Sequence, residues 1–302
     1  MKFGRVKTAA ARGCVLAHAL RLPEGRIAKG SRLTAADLRA CAAAGIEELT
    51  VLRLAAGDLG EDAAAARAAK AAAGPQLRTA KAVAGRVNAF AKRAGLFRVD
   101  EKALRRLNAI DPALTIATLP DRQHVAKGQM VATVKAIRFA ARAASVARWE
   151  RGASAMHVAP YRRLRAGLIQ TTLPTTRQSL LAKGVALTES RLRDCEALLA
   201  EQQTCAHDDA ELAAALAQAR RSRLDLLLVL GASSVCDPHD VVPAAIRACG
   251  GEVIQVGMPV DPGNLLVLGR LGRAYVIGMP SCARSPKENG FDWVLRRICA
   301  GE

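Results

Sequence analysis

The chain is poor in aromatic residues and has no long run of apolar residues. Phenylalanine, tryptophan and tyrosine make up 3% of the 302 residues, so few side chains are available for the stacking platforms that bind single-stranded nucleic acids. A membrane-spanning helix needs about 20 consecutive apolar residues, and no segment reaches that length. Arg12 and His18 interrupt the N-terminal apolar run, which argues against a signal peptide. We therefore expect a cytoplasmic protein without membrane contact.

Zinc-binding and redox motifs are also missing. The eight cysteines form no Cys-x-x-Cys pair, and none has a histidine at the spacings of zinc sites. We expect reduced thiols, most of them small core residues. Cys236 and Cys282 differ, because both lie in loops rich in glycine, serine or proline.

Positive charge is in clear excess, with 45 Lys and Arg against 27 Asp and Glu and a net charge of +18. Such an excess favours anionic partners: nucleic acid, a membrane surface or a small molecule that carries phosphate. Alternatively, it reflects an Ala/Arg/Gly-rich composition and a basic surface with no specific partner. Because no known nucleic-acid-binding module occurs, nucleic-acid binding is the least favoured of these interpretations.

The length suggests two domains, at roughly 100–200 residues each. A basic segment at residues 138–163 marks the boundary, although it also fits an amphipathic helix at a membrane surface. We expect a mixed α+β domain over residues 1–160, with a β-rich lobe near residues 77–140. Residues 161–302 form the second predicted domain.

The second half alternates between strand-like and helix-like segments. This rhythm predicts a three-layer α/β fold with a mainly parallel sheet. The predicted strands are 164–172, 224–230 and 252–256, with a hairpin at 265–279, and the predicted helices are 189–201, 208–220, 241–249 and 291–299. The strand at 224–230 is continuously apolar, as expected for a central strand covered on both faces.

The first of three polar loops, loop 1 (residues 231–240), follows this central strand. Small residues let the backbone approach a ligand closely, and N–H groups at the start of the next helix can hold an anion. The candidate binding residues in loop 1 are Gly231, Ser233 and Ser234. Asp237 and Asp240 are candidate catalytic residues and candidate Mg²⁺ ligands. Alternatively, either aspartate caps the helix.

Two further loops have the same position after a strand. Loop 2 (residues 257–264) contains two prolines and two glycines, and a stiff loop suits recognition of the donors and acceptors of a ring. Loop 3 (residues 278–290) places basic and hydroxyl side chains before the last helix, as a phosphate-binding loop does. Because parallel strands end at one edge of a sheet, the three loops predict one site for an anionic small molecule. The candidates in these two loops are Asp261, Pro262, Gly263, Asn264, Pro280, Ser281, Arg284 and Ser285.

The loops resemble those of the molybdopterin-binding domain shared by molybdopterin adenylyltransferases and molybdopterin molybdotransferases. Loop 1 stands where that family has a Gly-Gly-x-Ser-x-Gly-x-x-Asp-like loop. Residues 261–264 correspond to the family's Pro-Gly-Lys/Asn-like loop, and residues 278–286 correspond to its Gly-Leu-Pro-Gly-Asn-Pro-like loop. A bacterial subfamily that often precedes, or is fused to, a cytidylyltransferase-like domain is more similar still. That similarity covers nearly the whole chain, at residues 85–90, 107–111, 128–135, 260–272 and 282–294.

The chain departs from the family pattern within these loops. Ala232 and Cys236 replace glycines of loop 1, and a side chain at Cys236 would crowd the ligand or require a different backbone angle. Ser281 and Cys282 stand where molybdotransferases commonly have Gly-Asn. No Asp-Gly-Tyr-Ala-like acidic motif occurs in the first half. The sequence therefore supports ligand binding better than catalysis.

The resemblance implies a role in molybdenum cofactor biosynthesis, with molybdopterin or its adenylylated form as the ligand. As an enzyme, the chain would insert molybdate or transfer an adenylyl group while Asp237 and Asp240 hold Mg²⁺. As a non-catalytic protein, it would carry or sense the cofactor, and the sequence leaves both versions open. The implied partners are molybdate, a separate cytidylyltransferase or molybdoenzyme-maturation protein, and further copies of the chain.

Overall fold

The computed structural model describes residues 1–152 and 154–302, which form two compact units. The first unit comprises Met1–Arg93 and Phe97–Val158, and the second comprises Ala94–Leu96 and Ala159–Glu302. Among the described residues, no helix has both the length and the apolar character needed to cross a bilayer.

Short strands dominate the first unit. Its helices are α1 (Ala35–Ala43), α2 (Glu61–Ala72), α3 (Glu101–Asn108) and α4 (Ala143–Arg151). The strands are β1 (Lys2–Lys7), β2 (Val15–Leu16), β3 (Leu20–Leu22), β4 (Gly25–Ile27), β5 (Glu48–Arg53), β6 (Asp58–Gly60), β7 (Leu77–Thr79), β8 (Arg86–Ala91), β9 (Gly95–Val99), β10 (Leu114–Thr118), β11 (Gln123–Val125), β12 (Met130–Ala136), β13 (Ala140–Arg142) and β14 (Met156–Pro160), of which β9 and β14 have residues of both units.

The N-terminal part of this unit is a three-stranded sheet in the order β1-β5-β2, with antiparallel neighbours. Helix α1 begins with a capping box, in which Thr34 accepts a hydrogen bond from the Asp37 N–H and Asp37 accepts one from the Thr34 N–H. Such a box stabilises the first turn of a helix. Cys14 and Cys41 are buried in a small core with Leu33, as expected for free thiols in apolar surroundings.

The remainder of this unit packs the alanine-rich helix α2 against a four-stranded antiparallel sheet in the order β10-β12-β8-β7. The five buried residues of α2 are all alanines, and small side chains let the helix approach the sheet closely. Larger side chains, Phe97 and Trp149, fill the rest of this core. The four strands of this sheet lie within the segment near residues 77–140 that the sequence predicts to be β-rich.

The second unit has the predicted three-layer α/β fold with a mainly parallel sheet. Its six-stranded sheet has the order β16-β15-β17-β20-β19-β18. The first four strands in this order are parallel, and β19 runs antiparallel to both of its neighbours. The elements are β15 (Arg165–Thr172), α5 (Gln178–Asp194), β16 (Leu198–Ala206), α6 (Asp209–Ala219), β17 (Leu226–Leu230), α7 (Val241–Ala248), β18 (Glu252–Val256), β19 (Val267–Leu271), β20 (Ala274–Met279) and α8 (Gly290–Ala300).

Helices cover both faces of this sheet, so the continuous apolar sequence of β17 is explained by burial on two sides. All five β17 residues are buried. Leu226, Leu228 and Leu230 pack in one core with residues of α5 and α8. Leu227 and Val229 point to the opposite core, formed with residues of α6 and α7. This alternation is the period of two that a strand imposes on its side chains.

One predicted helix of the second unit is wrong. Residues 189–201 were expected to form one helix, but α5 ends at Asp194 and strand β16 begins at Leu198. The chain reverses at Glu196, which has a φ of 54°, a left-handed conformation that is uncommon outside glycine. Leu198 is 59% exposed on the edge strand, so its helical spacing from Leu192 and Cys195 is accidental.

Candidate functional site

The three predicted loops lie at one edge of the sheet of the second unit, which we call the C-terminal rim. Loops 1, 2 and 3 follow the carboxyl ends of β17, β18 and β20. Because β18 has the same direction as the parallel strands, its carboxyl end lies at the same rim. In open α/β sheets, this edge is where ligands bind.

Arg191 of helix α5 fixes the conformation of loop 3. Its Nε donates to Asp292 Oδ1 over 2.7 Å, its Nη1 to Ala283 O over 2.9 Å, and its Nη2 to Ser285 O over 2.6 Å. The side chains of Arg191 and Asp292 are only 9% and 8% exposed. Asp292 also accepts the Asn289 N–H at the start of α8. Loop 3 is thus held by buried charge-assisted hydrogen bonds, which are stronger than neutral ones.

Arg284 links loop 3 to loop 1. Its Nη2 donates to Gly231 O over 3.1 Å. Its Nη1 is buried and has no hydrogen-bond partner within the described parts of the chain. Burial lowers the pKa of the Arg284 guanidinium, because desolvation disfavours the charged form. The rim therefore holds a half-buried cation with an unused donor.

Loops 2 and 3 touch through two glycines. Gly290 N donates to Pro262 O over 3.0 Å. A Cβ on Gly263 would lie 2.5 Å from Gly290 N, and the φ of Gly263 is +121°. This backbone conformation and this close approach both require glycine. All three loops are therefore connected, loop 1 to loop 3 through Arg284 and loop 2 to loop 3 through these glycines.

The rim also contains Thr171 and His207, and neither residue is predicted from the sequence. Thr171 Oγ1 accepts the Ala232 N–H of loop 1 over 2.8 Å and lies 2.8 Å from His207 Nδ1. A Cβ on Gly231 would lie 3.9 Å from His207 Cε1, so the imidazole lies beside the start of loop 1. Thr171 is the penultimate residue of β15, which was predicted as a strand, whereas His207 follows β16, whose first residues were predicted as helix.

Asp240 caps helix α7, as one of the two sequence interpretations proposed. Its Oδ1 accepts the Val241 N–H over 2.7 Å, and its Oδ2 accepts the Cys236 N–H over 3.0 Å. Burial raises the pKa of Asp240, but these hydrogen bonds outweigh burial and hold the pKa below its usual value. The Cys236 thiol also contacts Asp240 Oδ2, and this hydrogen bond raises the pKa of Cys236. Cys236 therefore stays a thiol at neutral pH.

Asp237 is exposed and bonds mainly within its own turn. Its Oδ1 accepts the His239 N–H over 2.7 Å and lies 3.1 Å from His239 Nδ1. The His239 N–H is the largest cause of the lowered pKa of Asp237.

The two aspartates differ as possible Mg²⁺ ligands. Asp240 has less free acceptor capacity for this role, because each of its oxygens already accepts a backbone N–H group. Asp237 keeps Oδ2 without a hydrogen-bond partner among residues 1–152 and 154–302. Over the same residues, no group of three or more histidine, cysteine or acidic side chains is arranged to hold a metal ion. Of the predicted pair, Asp237 is therefore the better placed to offer an oxygen to a cation.

The other predicted residues differ in exposure. Ser233, Asp261, Pro262, Asn264 and Ser281 are exposed, Gly231, Ser234 and Ser285 are half-buried, and Pro280 and Gly263 are buried. No hydrogen bond joins the side chains of Ser234, Asn264 and Arg284 within the described chain. Cys236 is not among the described residues with positive φ, so replacement of the family's glycine requires no strained backbone here.

Comparison with known proteins gives one family match and several structural similarities. A family described as a domain of unknown function, DUF8806, matches residues 5–53. No curated protein matches. Among solved structures, 56 chains match.

Three of these structures illustrate the similarity. Molybdenum cofactor biosynthesis protein B is 16% identical, covers 46% of this chain and 94% of its own, and has a TM-score of 0.34. A molybdopterin biosynthesis Mog protein from Mycobacterium ulcerans is 18% identical, with coverages of 45% and 93% and a TM-score of 0.29. The molybdopterin biosynthesis moea protein from Pyrococcus horikosii is 9% identical, with coverages of 93% and 70% and a TM-score of 0.30.

Proposed function

We propose that the chain binds molybdopterin, or its adenylylated form, at the C-terminal rim and acts in molybdenum cofactor biosynthesis. The observation that carries this proposal is Arg284, which joins loops 1 and 3 while its buried Nη1 has no hydrogen-bond partner in the described chain. A half-buried cation without an anion is unfavourable, and a phosphate group at this rim would offset that cost. The motif resemblance of the three loops supports a pterin as the body of the ligand.

In this proposal, different loops bind different parts of the ligand. Arg284 and Ser234 would bind the phosphate, because guanidinium and hydroxyl donors suit phosphate oxygens. Asp261 and Asn264 are exposed at loop 2 and would bind the donors and acceptors of the ring. The close packing of Gly263 on Gly290 would hold loop 2 in a fixed position relative to loop 3.

The carboxylates of loop 1 support a protein that binds molybdopterin without inserting molybdate. Asp240 is committed to the cap of α7, and Cys236 remains protonated, so loop 1 offers neither a paired metal site nor a thiolate nucleophile. If Mg²⁺ takes part, Asp237 and the phosphate of the ligand would hold it, and the ion would neutralise phosphate charge. His207, hydrogen-bonded to Thr171, and His239, beside Asp237, are the imidazoles of the rim that could move a proton.

Binding is tested by titrating molybdopterin into the full chain and into two variants. We expect Arg284→Ala to weaken binding about tenfold or more, because a hydrogen bond to a charged group is lost. Arg297→Ala is the matched control, since Arg297 is exposed on α8 and makes the same change in charge. Equal weakening by both variants, or no binding by the unmodified chain, would refute the proposal.

An insertion assay separates the carrier from the enzyme. Cys236→Gly restores the glycine of the family, and Asp240→Ala removes the cap. If the unmodified chain binds molybdopterin but inserts no molybdate in the presence of Mg²⁺, the carrier version holds. Insertion that Asp240→Ala abolishes while molybdopterin binding persists would instead establish an enzyme.

A further inference from the structure

A basic cavity lies at the edge of the same sheet opposite to the C-terminal rim, which we call the N-terminal rim. Its volume is about 630 Å³, and its lining includes Arg220, Arg223, Leu224, Asp225 and Arg273. These residues lie just before β17 and β20 begin. Five residues of β17 at about 3.3 Å each separate this cavity from loop 1 by about 17 Å. The cavity is therefore distinct from the site at the C-terminal rim.

Two segments of the second unit bring three arginines to this cavity. Arg220 and Arg223 belong to the short turn that follows α6, and Arg273 belongs to the turn between β19 and β20. The Nε of Arg220 lies 3.7 Å from the position that a Cβ on Gly272 would take. The guanidinium of Arg220 thus lies against the turn that carries Arg273, and the two segments form one basic wall.

The three guanidinium groups have no counter-ion in the described chain. None of them takes part in an ion pair or donates a side-chain hydrogen bond within residues 1–152 and 154–302. The cavity has one carboxylate, Asp225, whose Oδ2 accepts the Arg165 N–H of β15 over 2.9 Å. Asp225 N also donates to Arg165 O. Three positive groups therefore face one carboxylate, which is already hydrogen-bonded to the backbone of β15.

This chemistry matches a phosphate group. Guanidinium groups form paired hydrogen bonds with phosphate oxygens and carry a permanent charge. The volume lies within the range of about 300–1,000 Å³ that is usual for small-molecule sites, so the cavity has room for more than a free ion. Apolar residues, among them Leu224, complete the lining.

We propose that the cavity at the N-terminal rim binds a phosphate group, either free or carried by a small organic molecule. This site is independent of the proposed molybdopterin site. Arg220 and Arg273 bind the phosphate from opposite turns, and Arg223 adds charge beside them. The rest of an organic ligand would lie towards Leu224.

Isothermal titration calorimetry on the full chain tests this proposal, with inorganic phosphate and ribose 5-phosphate as probes at physiological ionic strength. We expect Arg220→Ala and Arg273→Ala each to weaken binding of the better probe about tenfold. Arg221→Ala should change it less than about twofold, since Arg221 makes the same change in charge one residue away but does not line the cavity. Tighter binding of ribose 5-phosphate would identify an organic ligand, and equal binding would identify the free ion.

Three results would overturn the proposal. If Arg221→Ala weakens binding as much as Arg220→Ala does, the probes respond to diffuse surface charge. If Arg284→Ala removes binding while Arg220→Ala does not, the probes occupy the C-terminal rim. If neither probe binds, but a short single-stranded oligonucleotide binds in a way that depends on Arg220, the arginines serve nucleic acid. Thermal unfolding of each variant checks that it has folded, and a crystal structure with ribose 5-phosphate gives a second, direct readout.

Discussion

Replacement of Arg191 by methionine should strongly destabilise the second unit. The side chain makes three hydrogen bonds of 2.9 Å or shorter, to Asp292, Ala283 and Ser285, and methionine replaces none of them. The change also leaves the carboxylate of Asp292, which is 8% exposed, without its cation. Breaking a buried ion pair from one side costs about 3–5 kcal/mol. We expect a loss of that size in the free energy of unfolding.

Urea unfolding followed by tryptophan fluorescence measures this loss within the second unit alone. The chain has two tryptophans, and replacing Trp149 by phenylalanine in every variant leaves only Trp293, which lies in α8. Arg193→Met, at an exposed position of the same helix, is the matched control. Arg191→Lys should fall between the two, because it keeps the charge but not the three-way geometry. A cost for Arg191→Met no greater than that of the control would show that loop 3 does not depend on this residue.

Two further predictions concern loops 1 and 2. Asp240→Ala should cost about 1 kcal/mol at neutral pH through loss of the α7 cap. Because the folded-state pKa of Asp240 lies below its usual value of 3.8, this contribution is complete above that value and disappears as the pH falls through the folded-state pKa; unfolding curves at several pH values test this. Gly263→Ala should destabilise the contact with Gly290 by about 1–3 kcal/mol and increase hydrogen exchange in loops 2 and 3, whereas Gly250→Ala, also at positive φ but with open space around its Cβ, should not affect those loops.

Sequence periodicity predicted most of the second unit because strands buried on both faces and helices buried on one face have different patterns of apolar residues. The apolar run of β17 follows from burial of this strand on two faces. The apolar residues of α7 follow from burial of that helix against the sheet. The edge strand β16 could not be read this way, since it is exposed along much of its length. The reversal at Glu196 uses a left-handed conformation in a residue that gives no such signal.

The candidate site was predictable only where it lies within single loops. The polar composition of loops 1, 2 and 3 pointed to Gly231, Gly263 and Arg284 before their contacts were known. Thr171 and His207 are 36 positions apart in sequence. They meet because β15 and β16 are neighbours in the sheet, and periodicity does not specify strand order. The choice between capping and metal binding at Asp240 likewise needed the positions of the backbone N–H groups.

The reversed direction of β19 has a consequence for how this unit can vary. Its two flanking connections lie at opposite margins of the sheet, one leading from β18 past Pro262 and the other turning at Gly272 into β20. An insertion between β18 and β19 would reshape the surroundings of Arg284. An insertion between β19 and β20 would reshape the surroundings of Arg273. Insertions in these two connections would therefore alter the two margins separately, while the shared strands stay intact.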